Sequence, residues 1–359
     1  MPTQVQTKIL KAEKRAAQNA EISSATQTVI GWQGVRCMLP PDWNVTGFSM
    51  DRENGYLRVD APAPGTMTVQ IRWSNAARVQ KGPPNLYTFL APRFRKLFKR
   101  PDAAVPKPDL KANLEKILKE TAKQAKKAKA GFESTIKPEK TEGDDDERTA
   151  INFSWNGGGR GQGKIWYCAV CHRIIVAQVV GMPKDQTAMA LIASQLFATL
   201  HDHSIDGYDR WALYDLQVDV PDDFHLEDQK LLSGYLHLGF RRGSERILVD
   251  RWGLANVTLK KFTLDAWFRN HALVKLKRLP KDERSLHGHE CEHYTGSIPA
   301  IARIRALRET KGALRRFATR YESGIWECPN TNKLYAIQVA HNKRSVGLWE
   351  EVAERCDCH

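Results

Sequence analysis

The sequence predicts an α+β chain built from two copies of one layered domain, and three observations carry that prediction. Placing Trp166 over Trp326 aligns GKIWYCAVCHRIIVAQVV with SGIWECPNTNKLYAIQVA without a gap. Trp, Cys, a basic residue and Gln then recur at matching places, as Trp166 and Trp326, Cys168 and Cys328, Arg173 and Lys333, Gln178 and Gln338. Upstream, WQGVRCMLPPDWNV followed by GYLRVDAP and an Arg-Trp ending at Trp73 is echoed by WALYDLQVDVPDDFHL, GYLHLGF and an Arg-Trp ending at Trp252. The spacing from Gly55 to Arg72 equals that from Gly234 to Arg251, 17 residues. Finally, YLRVDA, YLHLGF and LYAIQVA alternate apolar and polar residues, the mark of half-buried antiparallel strands. Strands of this kind with helices between them predict a layered α+β domain, present twice.

Length and composition allow this. A chain of 359 residues, 42% hydrophobic and 27% charged, is long enough for two domains with separate cores. No apolar run approaches the ~20 residues needed to cross a bilayer. The opening MPTQVQTKILKAEKRAAQNAEI is charged throughout and lacks the apolar stretch of a secretory signal, so a cytoplasmic protein is expected. The net charge of +14 favours an anionic partner without choosing among nucleic acid, membrane surface and acidic protein.

In order along the chain, residues 1–27 read as a basic helical extension, 28–206 as the first domain and 207–359 as the second. Each copy opens on a strand ending in proline (Pro40, Pro221), continues through a GYL hairpin to the Arg-Trp strand, and enters a helix near Leu86 or Leu264. The first copy alone then carries a basic insertion, about 93–148. From Arg93 to Lys140 it holds 15 Lys and Arg against 6 acids. Pro106 and Pro108 before it and Gly131 after it delimit one helix, Asp109 to Ala130, with Leu110, Leu114, Ile117 and Leu118 on an apolar stripe. The GDDDE run reads as a flexible acidic end to the insertion. A strand meander, INFSW and KIWYC, leads to the aligned cysteines, and GGGRGQG between those strands reads as a flexible connection. The strand Arg173 to Val180, the turn GMPKDQ and a helix from Ala188 to Leu200 close the first copy. GLWEEVAER closes the second.

This order resembles the PsbP-like superfamily, which also holds Ran-binding proteins of the Mog type. The shared features are an LP-x-x-W opening strand (Leu39 to Trp43), a Gly-centred hairpin, a mid-domain helix and a last strand pair feeding a last helix. The resemblance implies that each copy is an antiparallel-sheet α/β/α sandwich, two in tandem. It brings no catalytic motif with it.

The stretch NGGGRGQGKIWYCAVCH contains two further motifs whose contexts fail. A phosphate loop needs Ser or Thr after its lysine and a helix starting there, whereas Ile165 follows Lys164 and the chain continues as a strand. Haem attachment at Cys168, Cys171 and His172 requires export, and the second copy replaces the last two by Thr331 and Asn332. Neither nucleotide nor haem is expected.

Seven cysteines, most in close pairs or beside histidine, point to metal ligation in a reducing compartment. Pro-Asn-Thr-Asn after Cys328 is a turn, which puts Cys328, and by alignment Cys168 and Cys171, at a hairpin tip. From that tip the strand descends roughly 26 Å at ~3.3 Å per residue. The helix climbs back roughly 20 Å at ~1.5 Å per residue, returning His201 and His203 to the same end. The expected first site is tetrahedral zinc on Cys168, Cys171, His201 and His203. The expected second is zinc on Cys328, Cys356 and Cys358 with a fourth ligand from His359, His293 or Cys291. In HGHECEH, an extended backbone would place His289, Cys291 and His293 on one face. Filled-shell zinc accepts mixed thiolate and imidazole, and four protein ligands make such a site structural. A CxxC redox pair is the competing reading, though it usually needs a helix N-terminus that a hairpin does not supply. Cys37 has no counterpart and reads as buried packing.

No catalytic triad or paired catalytic carboxylates emerge from the sequence. The expected function is therefore a non-catalytic, zinc-stabilised binding or scaffold protein that engages an acidic protein, or its own copies, through its basic surface. Nucleic-acid binding through Lys107 to Lys140 is the alternative, weakened by the lack of aromatic residues in that arm. A CxxC redox or zinc enzyme comes third.

Overall fold

A computed structural model of the chain describes residues 27–76, 108–138, 150–274, 279–298 and 318–358. The helix expected near Leu86, the extension over 1–26, the GDDDE run and His359 lie outside the described residues. The described residues are mostly antiparallel sheet, in three sheets with few helices. The chain divides into two compact units. The first contains Arg36–His203, and the second contains Ser204–His359 together with Gly31–Val35. The expected boundary at 206/207 did not foresee the transfer of Gly31–Val35. It follows from backbone pairing, for after β1 (Thr28–Trp32) and β2 (Val35–Leu39) the chain reaches β10 (Tyr208–Leu213), where Ala212 stands opposite Gly31.

In the first unit the strands are β3 (Asn44–Phe48), β4 (Asn54–Asp60), β5 (Thr68–Asn75), β6 (Glu133–Pro138), β7 (Ala150–Asn156), β8 (Arg160–Tyr167) and β9 (Arg173–Gly181). They form one seven-stranded sheet in the order β3-β4-β5-β9-β8-β7-β6. Helix α1 (Leu110–Lys127) stands between β5 and β6 in the chain, and α2 (Gln186–Thr199) follows β9. Strand β9, RIIVAQVVG, is buried along most of its length because both its faces are covered. Ile174 and Val176 join the apolar cluster under α1. Alternation turns Ile175, Ala177 and Val179 to the other face, where α2 packs.

The basic helix is rooted in this unit. The Asp109 side chain accepts a hydrogen bond from the Ala112 amide at 2.9 Å and caps α1. Leu110, Leu114 and Leu118 recur at helical spacing and pack on Ile151, Phe153 and Ile165, while most of the lysines face outward. Burying each leucine stabilises the arrangement by about 1.5–3 kcal/mol. The helix ends slightly before the expected Ala130, with Lys129 at φ 56°.

The glycine run corrects the sequence reading. Residues 160–163 are not a loop but the first half of β8, and only the tip around Gly158, at φ 76°, is a turn. The glycines serve close approach. Gly161 pairs with Trp155 and Gly163 with Phe153, and a Cβ at either position would fall inside the neighbouring ring. The rings lie flat across the strand where side chains would otherwise stand.

In the second unit, β11 (Leu216–Pro221), β12 (His225–Leu232), β13 (Tyr235–Arg242) and β14 (Glu245–Gly253) precede two short helices, α3 (Ala255–Thr258) and α4 (Leu264–Arg269). Then come β15 (Lys281–Leu286), β16 (His289–Ser297), β17 (Arg320–Cys328), β18 (Lys333–His341), α5 (Leu348–Ala353) and β19 (Cys356–Asp357). The large sheet runs β12-β13-β14-β18-β17-β16-β15, the strand order of the first unit repeated. Phe268 of α4 packs with Trp252, Tyr321 and Ile325 on one face. Trp349 of α5 covers Gly324 on the other, donating its indole N–H to the Ile337 carbonyl at 3.0 Å. A small sheet pairs β11 with both β10 and β19.

The aligned hairpins agree in backbone detail. His172 and Asn332 each take a left-handed conformation at φ 55°. Their carbonyls accept from the Ala76 and Ala255 amides at 2.9 and 3.0 Å. His and Asn are among the residues that tolerate this region best.

Candidate metal centres

The first centre forms at the tip of the β8–β9 hairpin. The Cys168 amide donates to the Arg173 carbonyl at 2.9 Å, which closes the loop carrying Cys171. After α2 the chain becomes extended at Leu200, and His201 exchanges backbone hydrogen bonds with Arg36 at 2.9 and 3.0 Å. That pairing sets the side-chain alternation. Asp202 points inward, 4% exposed, while His201 points outward. A bend at His203 then returns its ring to the group.

Cys168, Cys171, Asp202 and His203 each present a ligand atom, all within 4.8 Å of one another. His203 Nδ1 lies 3.5 Å from Cys168 Sγ and 2.6 Å from Asp202 Oδ1. The other Asp202 oxygen accepts the Trp166 indole N–H at 2.5 Å, and Cys171 Sγ donates to the Asp202 carbonyl at 3.6 Å. The structure thus brings together three of the four expected ligands and replaces His201 by Asp202. The H-x-H reading drew attention to the histidines and treated Asp202 as their spacer. The signal for Asp202 was the strand pairing of residue 201, which is not visible in sequence.

The neighbouring Cys171 thiol outweighs burial and lowers the Cys168 pKa to about 6. Cys168, together with burial, pushes the Cys171 thiol up. Burial raises the Asp202 carboxyl, but the donors Trp166 and His203 more than offset it and hold the group below the usual carboxylate range. A divalent cation would bind the two sulfurs as thiolates and displace their protons. Asp202 suits either an oxygen ligand or the carboxylate that orients the His203 ring.

The second centre combines His289, Cys328 and Cys358, again within 4.8 Å of one another. Cys328 ends β17 and His289 begins β16; the register that sets Cys291 opposite Trp326 brings His289 level with Cys328 two residues further on. Cys358 follows β19, its carbonyl accepting from Cys328 Sγ at 3.5 Å and from the Tyr335 hydroxyl at 3.4 Å. Burial and the neighbouring Cys328 push the Cys358 thiol up to about 11.

The remaining expected ligands fall elsewhere. Cys356 is buried on β19 opposite Val218, and burial raises its thiol. Cys291 lies beneath Gly324, with its thiol pushed up to about 12 by burial. His293 hydrogen-bonds Asp282 at 2.7 Å, and its ring centroid is 4.5 Å from that of Trp349. His289, Cys291 and His293 do share one face, as the alternation predicted, yet only the residue at the end of the strand reaches the hairpin tip. Cys37 is buried, with a thiol pushed up to about 12.

No protein-family model matches the chain, and no curated protein does. Among solved structures it is similar to the apo structure of immunity protein TplEi of T6SS from Pseudomonas aeruginosa. The match covers 92% of this chain and 96% of that one, at 10% identity and a TM-score of 0.29. A likeness at that level carries no argument about fold or function. Among the described residues no helix is long and apolar enough to cross a membrane.

Proposed function

We propose that the protein is a zinc-clamped, non-catalytic binding protein made of two tandem α/β/α sandwiches that arose by internal duplication, and that it engages an acidic protein partner. The observation that carries this is the convergence of Cys168, Cys171, Asp202 and His203 at the joint between a β-hairpin tip and the exit of the helix it feeds. Two sulfurs, an imidazole and a carboxylate suit zinc, whose closed four-coordinate sites are structural. The repeated strand order and the matched left-handed turn residues support the duplication.

In this reading the metal ties the end of α2 to the hairpin and adds stability of order ~10 kcal/mol at most, the scale of small zinc modules. The second centre does the same for the C-terminal segment with His289, Cys328 and Cys358. Reduced thiols as ligands suit a reducing compartment such as the cytoplasm. The basic surface supplies the attraction for an acidic partner.

Metal analysis of the purified chain tests the reading. Two zinc equivalents are expected, falling to one in Cys168→Ser/Cys171→Ser and to one in Cys328→Ser. A chain that carries no metal and takes up none from a zinc buffer overturns it.

A further inference from the structure

Among the described residues, the second face of the first unit's sheet is only partly roofed. Helix α2 packs on β8 and β9, and beyond it the polar side of β6, β7 and β8 forms a groove of about 590 Å³. Lys137, Asn152, Ser154, Arg160, Gln162 and Lys164 line its floor, and among the described residues no acidic side chain lines it. Strand β6 is the last in the sheet order, so the groove opens toward an edge.

We propose that this groove docks an extended acidic segment of a partner protein, with its carboxylates on alternate residues. The proposal deepens the binding reading above and rests on it for the acidic class of the partner. It places the contact in this groove rather than on the lysines of α1.

Cation spacing decides the class of ligand. Arg160 and Lys164 are four residues apart on β8, ~13 Å at ~3.3 Å per residue. Lys137 stands opposite Asn152, which stands opposite Lys164. Two strand spacings separate the lysines, ~9.6 Å. One phosphate spans only a fraction of those distances. An extended chain repeats side chains on one face every second residue, ~6.6 Å apart, so acids at i and i+4 meet Arg160 and Lys164 together.

The cations are also held in place. Arg160 donates to the Gln186 side-chain oxygen at 2.6 Å, and the Lys164 ammonium sits 5.5 Å from the centroid of the Phe197 ring. Ordered side chains lose less entropy on binding. Among the described residues the groove offers no open ring for base stacking, since Phe153 is buried and Phe197 lies beneath Lys164. That disfavours a single-stranded nucleic acid.

The test is fluorescence anisotropy of a fluorescein-labelled (Glu-Thr)5 peptide with the full zinc-loaded chain at low salt. Saturable binding is expected, weakened about tenfold by Arg160→Gln/Lys164→Gln, consistent with the loss of two partly exposed charge pairs. The exposed Ser154→Glu, which puts a like charge on the groove floor, is expected to act in the same direction. Lys119→Gln/Lys123→Gln/Lys126→Gln on α1 should change binding less than about twofold, since those lysines lie outside the groove. No peptide binding, equal binding by the groove variants, or loss confined to the α1 variant overturns the proposal. Displacement by equimolar inorganic phosphate, or equally tight groove-dependent binding of oligodeoxythymidine, overturns it as well. Zinc content measured on the same samples separates failure of the groove from failure of the metal-clamped reading.

Discussion

Replacing Asp202 by Ala isolates the interaction that the HxH reading of this segment passed over. The side chain makes two short hydrogen bonds, from the Trp166 indole N–H at 2.5 Å and from His203 Nδ1 at 2.6 Å, and is almost wholly buried. Hydrogen bonds to a charged group contribute about 1.5–3 kcal/mol each, and the truncation also leaves the buried Trp166 indole N–H with no acceptor. In metal-free protein Asp202→Ala is therefore expected to cost about 3–5 kcal/mol. Asp202→Asn keeps an acceptor for Trp166 and loses only the charge, so about 1–2 kcal/mol is expected. Urea unfolding of chelated samples, followed by tryptophan fluorescence, measures both. With zinc present, both variants should bind the metal about 10–100-fold more weakly. A chelated Asp202→Ala chain within about 0.5 kcal/mol of the parent, the range of an ordinary surface change, would refute the reasoning.

Further outcomes follow from other parts of the structure. His289→Ala should remove one zinc equivalent by mass spectrometry, whereas Cys356→Ser and His293→Gln should each retain two. Leu114→Ala, which empties a fully buried position under α1, should cost about 2–5 kcal/mol in urea unfolding, and Lys116→Ala on the exposed side less than about 0.5. Burial lowers the His237 pKa, but hydrogen bonds with Asp250 and Asp228, both at 2.7 Å, outweigh it and raise the group above its ordinary value. A raised folded-state value means this contribution is complete below about pH 6.5, the unfolded value, and is lost as pH climbs through the folded one. His237→Gln should flatten that part of the stability profile, and an unchanged profile would show that the aspartates do not hold the proton.

The sequence-level periodicities survived where one element's own residues decide the outcome. The Leu110, Leu114 and Leu118 stripe, bounded by Asp109, marked α1 because helical spacing and a capping side chain are local properties. The turn after Cys328 was legible for the same reason, and its alignment with Cys171 and His172 located the first hairpin tip. The glycine run failed as a loop because its role is set by a neighbouring strand. Trp155 and Phe153 need the space that Gly161 and Gly163 leave, and nothing within residues 157–163 announces those partners.

The ligand sets divide along the same line. Chain order alone determined that a strand and a returning helix of matched reach would bring the residues after α2 back to Cys168 and Cys171, because rise per residue is a property of the backbone. Which of those residues turn inward depended on partners far away in sequence. Arg36 pairs with His201, and that pairing sends Asp202 rather than His201 toward the thiols. In the second unit the register of β16 against β17 brings His289, not Cys291 or His293, to the level of Cys328. A side chain's facing is settled by hydrogen bonds to another strand, and those exist only once the chain has folded.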